Sequence, residues 1–310
     1  MGYGLGLVAA AAVLVGAGWV LPEWALFLAI VSLAKGLVVL GLVVLWRTGL
    51  VSFGQGLYYG LGAYTVGLLP QITGITDAVL LVATGTAIAG LVAFALGFLL
   101  SRYREIFFAM LCLAFAMILY GILVKTEALG STDGFHVVAV TYLGYAPAIE
   151  SANQVLYVFT AIVVVVLAGL VGRYLQSVTG QMTTAIRDNE LRVEYLGFSV
   201  RRAVHTKFVI AGALAGAGGA IVATAIGHVD PEMVWWITSG EFVFVTILSG
   251  SGSVIAPFIG STVFELLRSF ALEYAPNFWQ IIVGGSLLAV IMFLPGGLWS
   301  LVAKWRASGR

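Results

Sequence analysis

The chain has 310 residues, of which 61% are hydrophobic and only 9% charged, and its formal net charge is +1. An average soluble domain carries about 25% charged residues, so this composition excludes a single water-soluble core. The near-neutral charge also argues against a nucleic-acid partner, which usually requires a basic stripe. Long apolar runs recur along the whole chain. They predict an all-α, polytopic integral membrane protein in contact with the lipid bilayer.

Ten membrane-spanning helices are predicted, some of them short or broken, because about 20 residues are needed to cross a bilayer. They lie at about residues 3–21, 24–46, 50–69, 77–100, 104–125, 154–177, 207–226, 234–250, 254–272 and 278–300. The first is interpreted as a retained helix rather than a signal peptide, because no basic region precedes it. We expect residues 1–310 to form one transmembrane domain, with a cytoplasmic loop at residues 178–206.

The distribution of basic residues predicts the orientation of these helices. Lys and Arg concentrate in alternate loops, most densely in the segment 173–207, and at the C-terminus. The intervening loops carry acidic residues and no basic residue. Cytoplasmic loops of membrane proteins are enriched in Lys and Arg. We therefore expect both termini to be cytoplasmic.

The segment GLVSFGQGLYYGLGAYT, residues 49–65, contains five glycines inside a predicted span. Glycine weakens a helix by about 1 kcal/mol relative to alanine, but it lets membrane helices approach closely. One interpretation is therefore close packing. The other is an interrupted helix that lines the route of a polar solute. The residues that would line this route are Ser52, Gln55, Gly56, Tyr58 and Tyr64. A second small-residue run, GALAGAGGA at residues 212–220, predicts helix packing.

Three charged residues, Lys35, Glu241 and Glu265, fall inside predicted spans. A central charge costs roughly 2.5 to 3.5 kcal/mol on insertion scales, so such residues face protein, water or a partner. Structural pairing, with Arg268 as a further candidate cation, is favoured over direct contact with a solute.

The loop at residues 178–206 predicts a short amphipathic helix, because Met182, Ile186, Val193 and Leu196 recur at helical spacing and Gly197 can end the helix. Two interpretations remain open. The helix either connects two spans only, or docks onto a cytoplasmic partner.

Motifs for catalysis or cofactor binding are not found in the sequence. It contains no GxxxxGK[ST] phosphate loop and no GxSxG nucleophile motif. His136, His205 and His228 lie in three different predicted loops without metal-ligand spacing, and HVDPE at residues 228–232 is interpreted as a surface segment. We expect no cofactor, no metal and no catalytic residue, so any energy must come from another subunit.

Five ordered blocks of sequence carry a resemblance to a known family. They are GLVSFGQGLYYGLGAYT at 49–65, FFAMLCLAFAMIL with GSTDG at 107–134, the long block at 185–223, LSGSGSVIAPFIGS at 248–261 and FLPGGLW at 293–299. Together they resemble the membrane permease subunits of branched-chain amino acid ABC importers, specifically the second of the two homologous permeases. The chain departs from that pattern at Gln55, where the family usually has histidine, and at Lys35, where the span is usually uncharged.

The resemblance implies a set of partners and a role for the loop. The partners would be a homologous second permease, two cytoplasmic ABC ATPases that hydrolyse ATP, and an extracytoplasmic solute-binding protein, in a bacterial or archaeal cell membrane. The loop would contact the ATPase, with Ile186 and Leu196 as apolar anchors. The residues expected at that contact are Ile186, Arg187, Asp188, Asn189, Glu190, Glu194, Leu196 and Gly197.

The expected solute is a branched-chain amino acid, and alternatives stay open. Related permeases carry urea or short-chain amides. An ion-coupled secondary transporter would also explain broken helices and buried charges, with Glu241 or Lys35 as the coupling site. A membrane-embedded enzyme that uses the histidines is a third possibility.

Overall fold

A computed structural model describes residues 11–294 and 296–301, which fold almost entirely into helices. A helical stretch at residues 11–17 precedes the long helices. These are α1 (Glu23–Trp46), α2 (Gln55–Thr73), α3 (Ala78–Leu100), α4 (Glu105–Lys125), α5 (Ala152–Gln176), α6 (Val178–Asp188), α7 (Glu190–Tyr195), α8 (Val200–Ile226), α9 (Trp236–Ser249), α10 (Ala256–Tyr274) and α11 (Trp279–Phe293). Two short strands, β1 (Phe135–His136) and β2 (His228–Val229), pair in antiparallel fashion and join the loops that follow α4 and α8.

The helices confirm the prediction of an all-α, polytopic membrane protein. Among the described residues, five are long and apolar enough to cross a bilayer: α1, α3, α4, α8, and α5 with the turn that precedes it. Helices α9 and α11 are shorter apolar helices. Each predicted span from the second to the tenth corresponds to one helix. The first predicted span, 3–21, lies partly outside the described residues.

Three predicted boundaries were wrong by five residues or more. Helix α8 begins at Val200, well before the predicted residue 207, because the Ser199 hydroxyl accepts a hydrogen bond from the Arg202 N–H and caps the helix there. His205 therefore lies in a helix rather than a loop, and its Nε2 is 2.9 Å from the Phe94 carbonyl oxygen. Helix α2 begins at Gln55 rather than residue 50, and helix α11 ends at Phe293 rather than residue 300.

Helix α8 is the centre of the fold, because it packs along α1, α2 and α3. The most apolar stretches of α1 and α8 are 83% and 67% buried, whereas that of α4 is only 22% buried. Helices α1 and α8 therefore form the interior, and α4 lies at the periphery. Helix α4 presents large apolar side chains outwards, namely Ile106, Phe107, Met110, Ile118 and Ile122.

The small-residue run in α8 confirms the packing interpretation of residues 212–220. A Cβ atom on Gly219 would collide with the Tyr59 carbonyl group of α2, and one on Gly218 would collide with the Ala34 carbonyl oxygen of α1. A Cβ atom on Gly216 would likewise collide with the Gly85 carbonyl oxygen of α3. Backbone-to-backbone contact of this kind requires residues without side chains at the crossing points.

Candidate functional site

The chain between α1 and α2 is a non-helical segment at the depth of the core. Gly49 has a φ of +80°, a conformation that glycine adopts without strain. Ser52 is fully buried and its hydroxyl accepts a hydrogen bond from the Gly54 N–H at 3.3 Å. The Gly56 N–H donates to the Ser239 hydroxyl of α9 at 2.9 Å. A neighbouring side chain, Ser52, and a distant one, Ser239, thus satisfy backbone groups at the start of α2.

The glycines of residues 49–65 are used for close packing. A Cβ atom on Gly54 would collide with the Cys112 carbonyl of α4, and one on Gly60 would collide with the Val234 side chain. Gly62 lies directly against the Gly216 carbonyl of α8. The packing interpretation is therefore confirmed at these positions. It does not account for the polar residues of the segment.

Gln55 is the unusual residue of this region. Its side chain is fully buried, and neither its amide nitrogen nor its amide oxygen has a hydrogen-bond partner among the described residues. An unpartnered buried amide costs about 1–3 kcal/mol, so its retention calls for an explanation. Tyr58 and Tyr64 are also buried, 2% and 5% exposed. The Tyr64 hydroxyl and the Asp230 Oδ1 are likewise unpartnered within the part of the chain that the structure describes.

The intramembrane charges form two ion pairs, which confirms the pairing interpretation. The Lys35 Nζ lies 2.6 Å from the Glu265 Oε1, and the Arg268 Nη1 lies 3.2 Å from the Glu241 Oε2. The Arg268 guanidinium also stacks 5.5 Å from the centre of the Trp279 ring. Each pair joins different helices, so each cation is neutralised by tertiary contact rather than by a neighbour in sequence. Glu265 and Arg268 are three residues apart in α10, so the two pairs lie next to each other on one face of that helix.

These ion pairs are only partly enclosed. The side chains of Lys35 and Glu265 are 15% and 12% exposed, and those of Arg268 and Glu241 are 31% and 22% exposed. A small pocket beside them includes Ser261, whose buried hydroxyl has no hydrogen-bond partner among the described residues. A charged surface of this kind is poorly suited to contact with lipid chains.

The loop at residues 178–206 contains two helices, so the prediction of one amphipathic helix was wrong. Asn189 has extended backbone angles that end α6, and its side chain accepts the Arg192 N–H as the N-cap of α7. Glu190 forms a 2.6 Å ion pair with Arg104, which ties α7 to the start of α4. Because the helix is interrupted at Asn189, the buried face of α7 does not continue the buried face of α6 as it would in one continuous helix.

The break changes which residues are available to a partner. Ile186 and Val193 are 1% and 2% exposed and pack into this chain's own core. Ile186 is therefore not an exposed anchor, contrary to the expectation. Leu196 is 75% exposed, and Leu191 and Tyr195 beside it are 65% and 89% exposed. The charged residues expected at the contact, Arg187, Asp188 and Glu194, are exposed together with Asn189 and Gly197.

Sequence reasoning missed the burial of Lys207, which it placed at the first residue of the predicted span 207–226 and counted among the cytoplasmic basic residues. It lies in α8 and is fully buried, and its ammonium group has no hydrogen-bond partner among the described residues. The only signal in the sequence was its position directly before the apolar run Phe208–Ile210.

Comparison with known protein families identifies the family of this chain. The family described as the permease component of the branched-chain amino acid transport system matches residues 24–292. The chain belongs to this permease family. Two relatives are 28% identical to the permease, and both are high-affinity branched-chain amino acid transport system permease proteins named LivM. For the protein of Escherichia coli (strain K12), the match over 302 residues covers 87% of the permease and 69% of the relative.

The second relative is the protein of Salmonella typhimurium (strain LT2), matched over 294 residues that cover 84% of the permease and 67% of the relative. No solved structure matches the permease. The resemblance that the five sequence blocks indicated is confirmed, and the permease is a multi-pass membrane protein whose relatives are transport proteins.

Proposed function

We propose that the permease is the membrane subunit of an ATP-driven ABC importer of branched-chain amino acids. It pairs with a homologous second permease in a bacterial or archaeal cell membrane and takes its solute from an extracytoplasmic binding protein. ATP is hydrolysed on two separate cytoplasmic ATPase subunits. The observation that supports this most strongly is the family match over residues 24–292, reinforced by two relatives whose names specify branched-chain amino acid transport.

The start of α2 is the proposed part of the translocation path. The proposed path is closed at this point in the present conformation, because its five residues are buried: Ser52, Gln55, Gly56, Tyr58 and Tyr64. An amino acid presents an ammonium donor and a carboxylate acceptor. The free carbonyl and NH₂ of Gln55 match both groups. Alternating access would expose this amide to the solute, which accounts for a buried polar group without a partner.

The proposed ATPase contact is the exposed surface of α7 and the turn after it. An interface of this type combines apolar anchors with a polar rim. Leu191, Tyr195 and Leu196 supply the anchors, since they are large, apolar and exposed. Arg187, Asp188, Asn189, Glu190, Glu194 and Gly197 lie around them. Ile186 supports this surface from beneath, because it fixes α6 to the rest of the chain.

The surface that carries the partly exposed ion pairs is the proposed contact with the second permease. Charges at bilayer depth face protein or water rather than lipid. The surface that carries Lys35, Glu241, Glu265 and Arg268 therefore borders the second subunit or the path between the two subunits.

Reconstitution tests the proposal directly. The permease, its sister permease and the two ATPases are placed in liposomes, and leucine uptake is measured with and without internal ATP and external binding protein. We expect uptake only when all components are present. Uptake by the permease alone under an ion gradient would instead establish a secondary transporter, and uptake of urea or short amides without leucine would establish the alternative solute. Leucine entry into protein-free liposomes is measured in parallel to exclude leakage.

The expected orientation, with cytoplasmic termini, is tested by single cysteines in a Cys112→Ala background. Cysteines at Ser131 and Asn153 should react with an impermeant thiol reagent in intact cells, whereas one at Asn189 should react only after permeabilisation. Labelling of the Asn189 site in intact cells would reverse the orientation.

A further inference from the structure

An open cavity of about 330 Å³ lies where α5, α6 and α8 meet. It is large enough for a small polar group, since ligand sites begin near 300 Å³. The residues that line it are Tyr174, Thr179, Gly197, Phe198, Ser199, Arg202, Ala203 and Thr206. They include one cation and several hydroxyl groups, and among the described lining residues there is no Asp or Glu.

Two polar groups of the cavity have no partner. The Tyr174 hydroxyl is buried without a hydrogen bond among the described residues. The Arg202 guanidinium forms no hydrogen bond and no ion pair with any of the described residues. The other lining hydroxyls have partners: Thr206 donates to the Arg202 carbonyl oxygen, Thr179 shares a hydrogen bond with Ser177, and Ser199 accepts the Arg202 N–H. A hydroxyl donor and a guanidinium are thus left for an anion, beside the positive end of the α8 dipole.

The position of the cavity in the membrane identifies the source of that anion. Tyr174 lies in the last turn of α5, and Arg202 and Thr206 lie in the first two turns of α8. Both helices are long and apolar enough to cross the bilayer. The cavity is therefore at the level of the lipid headgroups, where tyrosine and arginine are favoured. Arg173 and Arg201 add further positive charge nearby.

We propose that this cavity binds the phosphate of an anionic phospholipid headgroup. Arg202 pairs with the phosphate oxygens, and the Tyr174 hydroxyl donates a hydrogen bond to one of them. Basic pockets between transmembrane helices are suited to such headgroups, because phosphate accepts a forked pair of hydrogen bonds from guanidinium. A bound lipid would brace α5 and α8 on either side of the α6–α7 segment. This site is independent of the identity of the transported solute.

The experiment uses the full-length permease purified in a mild, uncharged detergent. Thermal unfolding is followed while short-chain phosphatidylglycerol, short-chain phosphatidylcholine or inorganic phosphate is titrated in, and lipids retained after purification are counted by native mass spectrometry. We expect phosphatidylglycerol to raise the Tm with saturation, and phosphatidylcholine to raise it only at higher concentration. Arg202→Gln should weaken the phosphatidylglycerol response about tenfold, and Tyr174→Phe about threefold.

The matched control is Arg102→Gln, which removes an exposed arginine that does not line the cavity. It should respond like the wild type. Arg202→Lys, which keeps the charge, should retain most of the response and serves if Arg202→Gln does not fold. The proposal would be overturned if Arg202→Gln and Tyr174→Phe both responded to phosphatidylglycerol as the wild type does. An Arg202-dependent response to inorganic phosphate at the same concentrations would show that free phosphate, rather than lipid, is the ligand.

Discussion

The crossing of α2 and α8 and the surface of α7 use apolar residues in opposite ways. At the crossing, Gly62 and Gly219 bring the two backbones into contact and leave no space for a side chain. On α7, Leu191 and Tyr195 extend from the chain without being covered. One region is completed by the chain itself, and the other is the surface that we propose for contact with the ATPase. Outside the predicted spans, exposed apolar side chains therefore mark a candidate partner surface, whereas glycines at a helix crossing mark a surface used for folding.

The largest expected effect is at the crossing. Gly219→Leu places a side chain against the Tyr59 carbonyl, and we expect it to destabilise the fold by about 3 kcal/mol or more. The measurement is the amount of monodisperse protein on size-exclusion chromatography. Gly284→Leu is the matched control, because a Cβ atom there meets no atom within 4 Å. Equal yields of the two variants would contradict the close contact.

The ion pair between α1 and α10 should give the next largest effect. Lys35→Met leaves the Glu265 carboxylate without its cation, and we expect a loss of about 1–3 kcal/mol in stability. The double variant Lys35→Met/Glu265→Met removes both charges and should recover most of the loss. Thermal unfolding of the three proteins measures this. Additive losses in the double variant would show that the two residues do not act as a pair.

A smaller, selective effect is expected on α7. Leu196→Asp should leave the permease folded, because this side chain is 75% exposed, but weaken retention of the ATPase by about 1–2 kcal/mol, roughly tenfold. Ile186→Asp should instead lower the yield of folded protein, since it puts a charge into the core. Co-purification of the ATPase is compared at equal amounts of permease. Wild-type retention with Leu196→Asp would remove this residue from the contact.

The smallest effect is expected at Gln55. Gln55→Ala removes an unpartnered buried amide, so stability should be unchanged or slightly higher, whereas leucine uptake should fall a few-fold up to about tenfold. Gln71→Ala in the same helix is the control, because Gln71 is exposed and bonds only its own helix. Unchanged uptake kinetics with Gln55→Ala would assign the segment to packing alone.

Much of the fold could be predicted because membrane helices have a strong local signal. Span length and hydropathy identified nine helices that the structure describes, and small-residue runs indicated where helices pack. The candidate site was less predictable. Gln55, Lys35, Glu241 and Glu265 stand out in sequence, since polar groups are costly in a bilayer, but the sequence does not show that Gln55 is unpartnered.

The prediction failed where two local signals competed. Met182, Ile186, Val193 and Leu196 fit one helical period, yet Asn189 caps a second helix and shifts the phase, so Ile186 is buried and Leu196 exposed. The position of Lys207 was misjudged for a similar reason. Its charge suggested the cytoplasmic end of the span 207–226, but Ser199 caps α8 and the helix begins at Val200, seven residues earlier, so that Lys207 lies in the core.

The amino-acid sequence alone determined the solvent of this protein, its helical class and its family, because composition, span length and ordered motifs are properties of the chain itself. The tertiary structure decided which charges meet and which surfaces stay open. Lys35 and Glu265 are separated by 230 residues, and no local pattern specifies that they lie 2.6 Å apart. Pairing, burial and cavities depend on distances between helices, and those distances are set only when side-chain volumes across the whole bundle are packed together.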